Sequence, residues 1–133
     1  MSETAHVDLI RQLYDRMRTG DLDGALELMT ADVTFVVPGP PGVGAAGIWR
    51  GHSGVRDCFD RLRAAQQNER VETREIVAQG DSVVVLLHAV AKVCATGKTF
   101  ESDIVHFFMI RDGRVARLID FFDTAALVEA NRP

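Results

Sequence analysis

Asp120 and His88 are the residues of this chain whose types and placement could move a proton. A carboxylate in apolar surroundings has a raised pKa, which suits proton transfer near neutral pH. An imidazole in reach can hold that carboxylate ionised or share its proton. The case for bringing the two together rests on residues 82–123, which read as three antiparallel strands. They run from Ser82 to Ala95, Lys98 to Ile110 and Arg114 to Asp123, with Thr96-Gly97 and Asp112-Gly113 between them. Asp-Gly between apolar runs is a strong hairpin signal, since both central residues of the tight turn need positive φ. With two-residue turns at both places, His88, Val105 and Asp120 form one row across three strands and share a face. Asp103 lies one inward step away and could add a third polar point. The same face carries Leu86, Val90, Phe107, Leu118 and Phe122. His106 then points the other way, to a face read as the contact with a second subunit. A bulge in either hairpin would move the row. The bland alternative is a structural Asp–His contact within the sheet.

These strands need covering, because both their faces are mostly apolar. The first cover is a helix over residues 4–19, where Val7, Ile10, Leu13, Tyr14 and Met17 recur at helical spacing. Gly20 ends it and Asp21 caps a second short helix carrying Leu22, Ala25, Leu26 and Met29. Asp32 to Val37 alternates as a strand ending at Pro38. Residues 38–47 are rich in Pro and Gly and read as a rim or lid; they lack the endings of a phosphate-binding loop. Trp49, the only tryptophan, is either a packing plug under that loop or an aromatic pocket wall. Ser53 caps a third helix to about Gln67, with Val55, Cys58, Phe59, Leu62 and Ala65 inward. Glu69 to Ala78 is a further strand, and residues 124–133 are a short helical end in which Asp123 can serve as the cap.

The predicted architecture is α+β: a cone-shaped, curved antiparallel sheet wrapped around three N-terminal helices, forming a single domain over residues 1–133. Net charge is −4 and the basic residues are scattered, which argues against nucleic acid. No apolar run is long enough to span a bilayer. The opening Met-Ser-Glu-Thr-Ala-His lacks a signal-peptide pattern. Cys58 and Cys94 read as reduced thiols, consistent with the cytoplasm. No cysteine or histidine spacing suggests a metal, and no cofactor motif is present.

The order of elements, Gly20-Asp21-Leu22-Asp23-Gly24-Ala25-Leu26 and the strand Asp32-Val33-Thr34-Phe35-Val36-Val37-Pro38 resemble the nuclear transport factor two-like superfamily. Trp49-Arg50-Gly51, Asp103-Ile104-Val105-His106-Phe107 and the stretch from Asp112-Gly113 to Asp123-Thr124-Ala125-Ala126-Leu127 resemble its SnoaL-like, ketosteroid isomerase-related branch. The resemblance implies the fold; the superfamily hosts isomerases, cyclases, epoxide hydrolases, dehydratases and binders. The isomerase base and acid do not carry over, since Val37 and Val105 stand where aspartates are needed. Tyr14 lies one residue from the oxyanion tyrosine's place. Asp120 matches the aspartate of the terminal strand in limonene epoxide hydrolase-like enzymes, without their Arg/Asp pair. Asp103 and Asp120 are the candidates for the acidic base of SnoaL-type cyclases.

The sequence therefore supports an apolar pocket for a small hydrophobic metabolite, with Asp120, His88 and Asp103 as catalytic candidates. Tyr14, Val37, Trp49, Phe59, Val105, Phe107, Leu118 and Phe122 are the candidate lining. A homodimer through the outer sheet face is expected, and no cofactor. Cofactor-free acid/base catalysis, ligand binding without turnover and a dimeric interaction module all remain open.

Overall fold

Alternation along Ser82–Val93 decides which side of the sheet is inside. Val83, Val85, Leu87, Ala89, Ala91 and Val93 are buried, while every residue between them is partly or fully exposed. The computed structural model describes residues 2–133 and places helices α1 (Glu3–Arg18), α2 (Leu22–Glu27) and α3 (Gly51–Ala65) before most of the sheet. The strands are β1 (Met29–Val37), β2 (Gly47–Arg50), β3 (Gln66–Gln79), β4 (Ser82–Val93), β5 (Thr99–Arg111) and β6 (Arg114–Phe121). A final helix, α4, spans Thr124–Ala130. The sheet order is β2-β1-β6-β5-β4-β3. It is mixed rather than antiparallel throughout, because β1 runs parallel to β6. The short strand β2, where Trp49 sits, was not expected; its four residues pair antiparallel with β1.

Local chemistry explains the helix ends. The Asp21 carboxylate accepts from the Gly24 N–H at 2.9 Å, and the Asp123 carboxylate from the Ala126 N–H at 3.0 Å. Each satisfies one of the first-turn donors that a helix leaves unpaired. Helix α3 starts at Gly51, earlier than the expected Ser53 cap, straight out of β2. Helix α1 buries His6, Leu9, Ile10 and Leu13, and its His6 ring meets the Gly80 carbonyl at 2.9 Å. These side chains, with Val33, Phe35, Val55, Phe108, Ile110 and Val115, form the main core on the helix side of the sheet.

Phe108 is 1% exposed and packs edge-on to both Tyr14 and His106. Truncating it leaves a cavity that its neighbours cannot close. Phe108→Ala is expected to cost about 3–5 kcal/mol in urea unfolding; a loss under about 1 kcal/mol would mean that the cone is loosely filled there.

Candidate functional site

Both hairpins depart from the expected register, with different consequences. Between β4 and β5 the connection is a four-residue loop, Cys94–Gly97, closed by Val93 N–H to Lys98 O at 2.8 Å. Thr96 is β-branched and resists the positive φ that a two-residue turn would impose. Its hydroxyl instead donates to the Ala130 carbonyl at 2.6 Å, tying the loop to α4. The longer loop moves the pairing by two residues, so His88 lies opposite Asp103 and Leu86 opposite Val105. A shift of two keeps every side chain on its face.

The second hairpin has the expected turn, with Asp112 and Gly113 at φ 52° and 73°. Ile110 then pairs with Val115, but Met109 pairs with Arg117, which leaves Ala116 as an extra residue. This bulge shifts the rest of β6 by one, and a shift of one reverses its faces. Asp120 therefore lies opposite His106, on the helix side, and His88 lies on the outer side. The predicted row of His88, Val105 and Asp120 does not exist, and His106 is an interior residue rather than a dimer-face histidine.

What the cone holds instead is a chain of three polar groups. The Tyr14 hydroxyl lies 2.8 Å from His106 Nδ1, and His106 Nε2 lies 3.3 Å from Asp120 Oδ1. The carboxylate favours the tautomer with its N–H on Nε2, so Nδ1 accepts from the tyrosine. Burial first, and then the negative charge of Asp120, push the Tyr14 hydroxyl well above the ordinary phenol pKa, so it stays a donor. Cys58 is pushed up to about 12 by burial, then by Asp120, with Arg61 opposing, and remains a thiol. The imidazole is close to Asp120 but poorly aligned: the buried Oδ1 has no hydrogen-bond partner. A buried acceptor left unpaired is costly. The site is not sealed, because the side chains of His106 and Asp120 keep 16% and 22% exposure.

The candidate lining separates by face. Tyr14, Trp49 and Phe59 pack against the main core, and Leu118 belongs to it. Val37 is buried beside Ala45 and Cys58, with Trp49, Leu62 and Phe122 against them. Trp49 is tied under the Pro/Gly loop by its indole N–H to Ala45 O at 2.9 Å, and Arg61 stacks over its ring at 5.7 Å. Val105 and Phe107 alternate away from the buried Phe108 and lie on the outer face, so neither can line the cone. Two surface grooves also lie away from the triad. One runs over the outer face near Arg50 and Arg117, and the other lies beside His6 and the Asp112-Gly113 turn.

His88 and Asp103 make their own cluster outside. His88 Nδ1 is 2.8 Å from Asp103 and Nε2 is 2.8 Å from Glu101, while Arg74 reaches Asp103 at 3.5 Å. The Asp103 contact, then that of Glu101, raise the His88 pKa. The His88 contact holds Asp103 below the usual carboxylate range. A raised histidine contributes stability below its unfolded pKa of about 6.5 and loses it as pH rises through the folded value. A depressed aspartate contributes above about 3.9 and loses it as pH falls. The melting-temperature gap between wild type and His88→Gln should be widest between about pH 4 and 6.5 and shrink toward pH 9. A gap that stays flat across that range would remove the ionised contact.

The interior histidine was missed although its signal was present. Uninterrupted alternation from Val115 would point Arg117 into the core, so the arginine argues for a bulge before it.

A family model described as SnoaL-like domain matches residues 10–118. An NTF2-like protein of Burkholderia xenovorans LB400 is 30% identical, with 99% of each chain covered and a TM-score of 0.92. TerC, solved in co-crystals with polyporic acid, is 32% identical over 96% of this chain and 98% of its own, with a TM-score of 0.84. An uncharacterized protein of Mycobacterium tuberculosis is 26% identical over 98% of both chains.

Proposed function

The chain belongs to the SnoaL-like domain family, and from that premise we propose that its cone binds a small, largely apolar metabolite and moves a proton on it without a cofactor. The observation that carries this reading is the Asp120 carboxylate, half-buried on the helix side of the sheet with its buried oxygen unpartnered. Asp120 takes a proton from a weakly acidic C–H or O–H of the ligand. His106, with its Nε2–H beside Asp120 and Tyr14 behind it, donates to the charge that develops on the ligand. Trp49, Phe59 and Phe122 suit an aromatic or polycyclic body. Such a site fits isomerisation, cyclisation or water addition. His88 and Asp103 have no part in it. The likeness to TerC, whose co-crystal holds polyporic acid, supports a ligand of that kind.

The test needs no natural substrate. 5-Nitrobenzisoxazole loses its C3 proton to any base; the N–O bond breaks with that transfer and a yellow nitrophenolate forms. The protein is expected to accelerate this opening well beyond acetate at equal concentration, and polyporic acid to inhibit it competitively. A rate no higher than acetate would sink the catalytic reading. If calorimetry then still showed polyporic acid bound, the cone would be a binding site without turnover.

A further inference from the structure

Strand β1 presents Asp32, Thr34 and Val36 on its outer side, alternating with the buried Val33, Phe35 and Val37. Thr34 has Arg50 of β2 on one side and Arg117 of β6 on the other, in register. Cross-strand partners share a face, so both arginines stand beside the Thr34 hydroxyl. Their backbones are two strand spacings apart, roughly 10 Å, and their long stems let both guanidinium groups meet over Thr34. Arg111 and Arg114 face each other one step further along the sheet. Arg111 is paired with Asp32 across β6, whereas Arg50 and Arg117 have no carboxylate partner among the described residues. The chain as a whole has a net charge of −4. A local excess of arginine, held together by the sheet, is therefore a feature of this end of the fold and not of its composition. Like charges brought together on a sheet are destabilising unless something of opposite charge lies between them.

These arginines border a groove of about 440 Å³. That is within the roughly 300–1,000 Å³ of sites that hold small molecules. Its other walls are apolar: Val36, Ile48 and Met109 line it, and Ile48 and Met109 are 57% and 43% exposed. The groove thus offers a cationic end and an apolar end side by side.

We propose that this groove is a second binding site, separate from the cone, for a phosphate monoester with a compact apolar body. The phosphate lies over Thr34, gripped from two sides by Arg50 and Arg117, each with paired N–H donors, and the threonine hydroxyl adds a further donor. Near neutral pH a monoester carries about two negative charges, which matches the two guanidinium groups that lack a protein partner. A carboxylate supplies half of that charge. Inorganic phosphate leaves Ile48 and Met109 in water. The site lies on the opposite face of the sheet from Asp120 and is independent of the proposed proton transfer.

The test is calorimetric titration of the full chain with 1-naphthyl phosphate at neutral pH and low salt. This probe should bind at least about tenfold more tightly than 1-naphthol, 1-naphthoate or inorganic phosphate. The double variant Arg50→Gln with Arg117→Gln should lose at least about tenfold in affinity while keeping its circular dichroism spectrum and its 5-nitrobenzisoxazole rate. Arg50 makes no side-chain hydrogen bond at the start of α3, so its replacement leaves the helix intact. Thr34→Glu, which sets a carboxylate between the two arginines, should abolish binding as well. Wild type that does not bind the probe, or binding that survives the double variant, would overturn the site. Equal affinity for 1-naphthoate would overturn the dianion, and equal affinity for inorganic phosphate the apolar body.

Discussion

Asp120→Asn is expected to lose the 5-nitrobenzisoxazole reaction by on the order of 100-fold or more while melting no lower than wild type. The rate loss follows from removing the only carboxylate in the triad; a positioned base contributes typically ~10²–10⁴. The stability half of the expectation follows from the same geometry. Asp120 Oδ1 is buried without a hydrogen-bond partner, and His106 Nε2 lies 3.3 Å from it. Asparagine keeps the shape, removes the charge and offers a carbonyl oxygen to the same N–H, so the variant should gain up to ~1 kcal/mol. Thermal melts at pH 7 and the elimination assay, run on one preparation, check both halves. A variant that melts lower by the ~3–5 kcal/mol of a broken buried ion pair would make Asp120 an anchor for His106 rather than a base. A stable variant with an unchanged rate would move the chemistry elsewhere.

Much of the frame was legible because local rules agree with the fold. The stripe of Ile10 and Leu13, the Asp21 and Asp123 caps and the Asp112-Gly113 turn each follow from a few neighbouring residues. The order of the elements, read the same way, carries the resemblance to the family. The site was harder, for a reason that lies in β4–β6. Both faces of these strands carry apolar residues, so alternation separates the faces without saying which one meets the helices. Val85 and Phe108 look no more interior than Leu86 and Phe107 until helices pack on one side. The parallel pairing of β1 with β6 was equally hidden, since it joins residues more than 80 apart in the chain through contacts such as Phe35 with Leu118. The sequence places Tyr14 among the candidate lining, but points its partner His106 to the other face of the sheet.

One residue decides that assignment, and deleting Ala116 is the sharpest test of it. The bulge lets Val115 and Leu118 both face inward, three positions apart, while Arg117 stays in solvent. Leu118 fills the row between Phe35 and Phe108, at 7% exposure. Without Ala116, Arg117 follows Val115 directly, so plain alternation keeps Arg117 in solvent and Leu118 and Asp120 inward, with Met109 still opposite Arg117. What the deletion removes is the extra residue and the local twist it adds, not the facing of any side chain. The deletion variant is therefore expected to fold by circular dichroism and to keep the 5-nitrobenzisoxazole reaction within about tenfold. Ala116→Gly, which keeps the residue count, should also fold and retain the reaction within a few-fold. A β6 that alternated without a bulge would respond in the opposite way, because losing one residue would then reverse the face of everything after it. Burying the wrong set of side chains would cost several kcal/mol, which is most of the ~5–15 kcal/mol that holds a domain of this size. A deletion variant that is mostly unfolded at 25 °C and inactive would show that Ala116 is a paired residue of the strand, and the register described for β6 would be wrong.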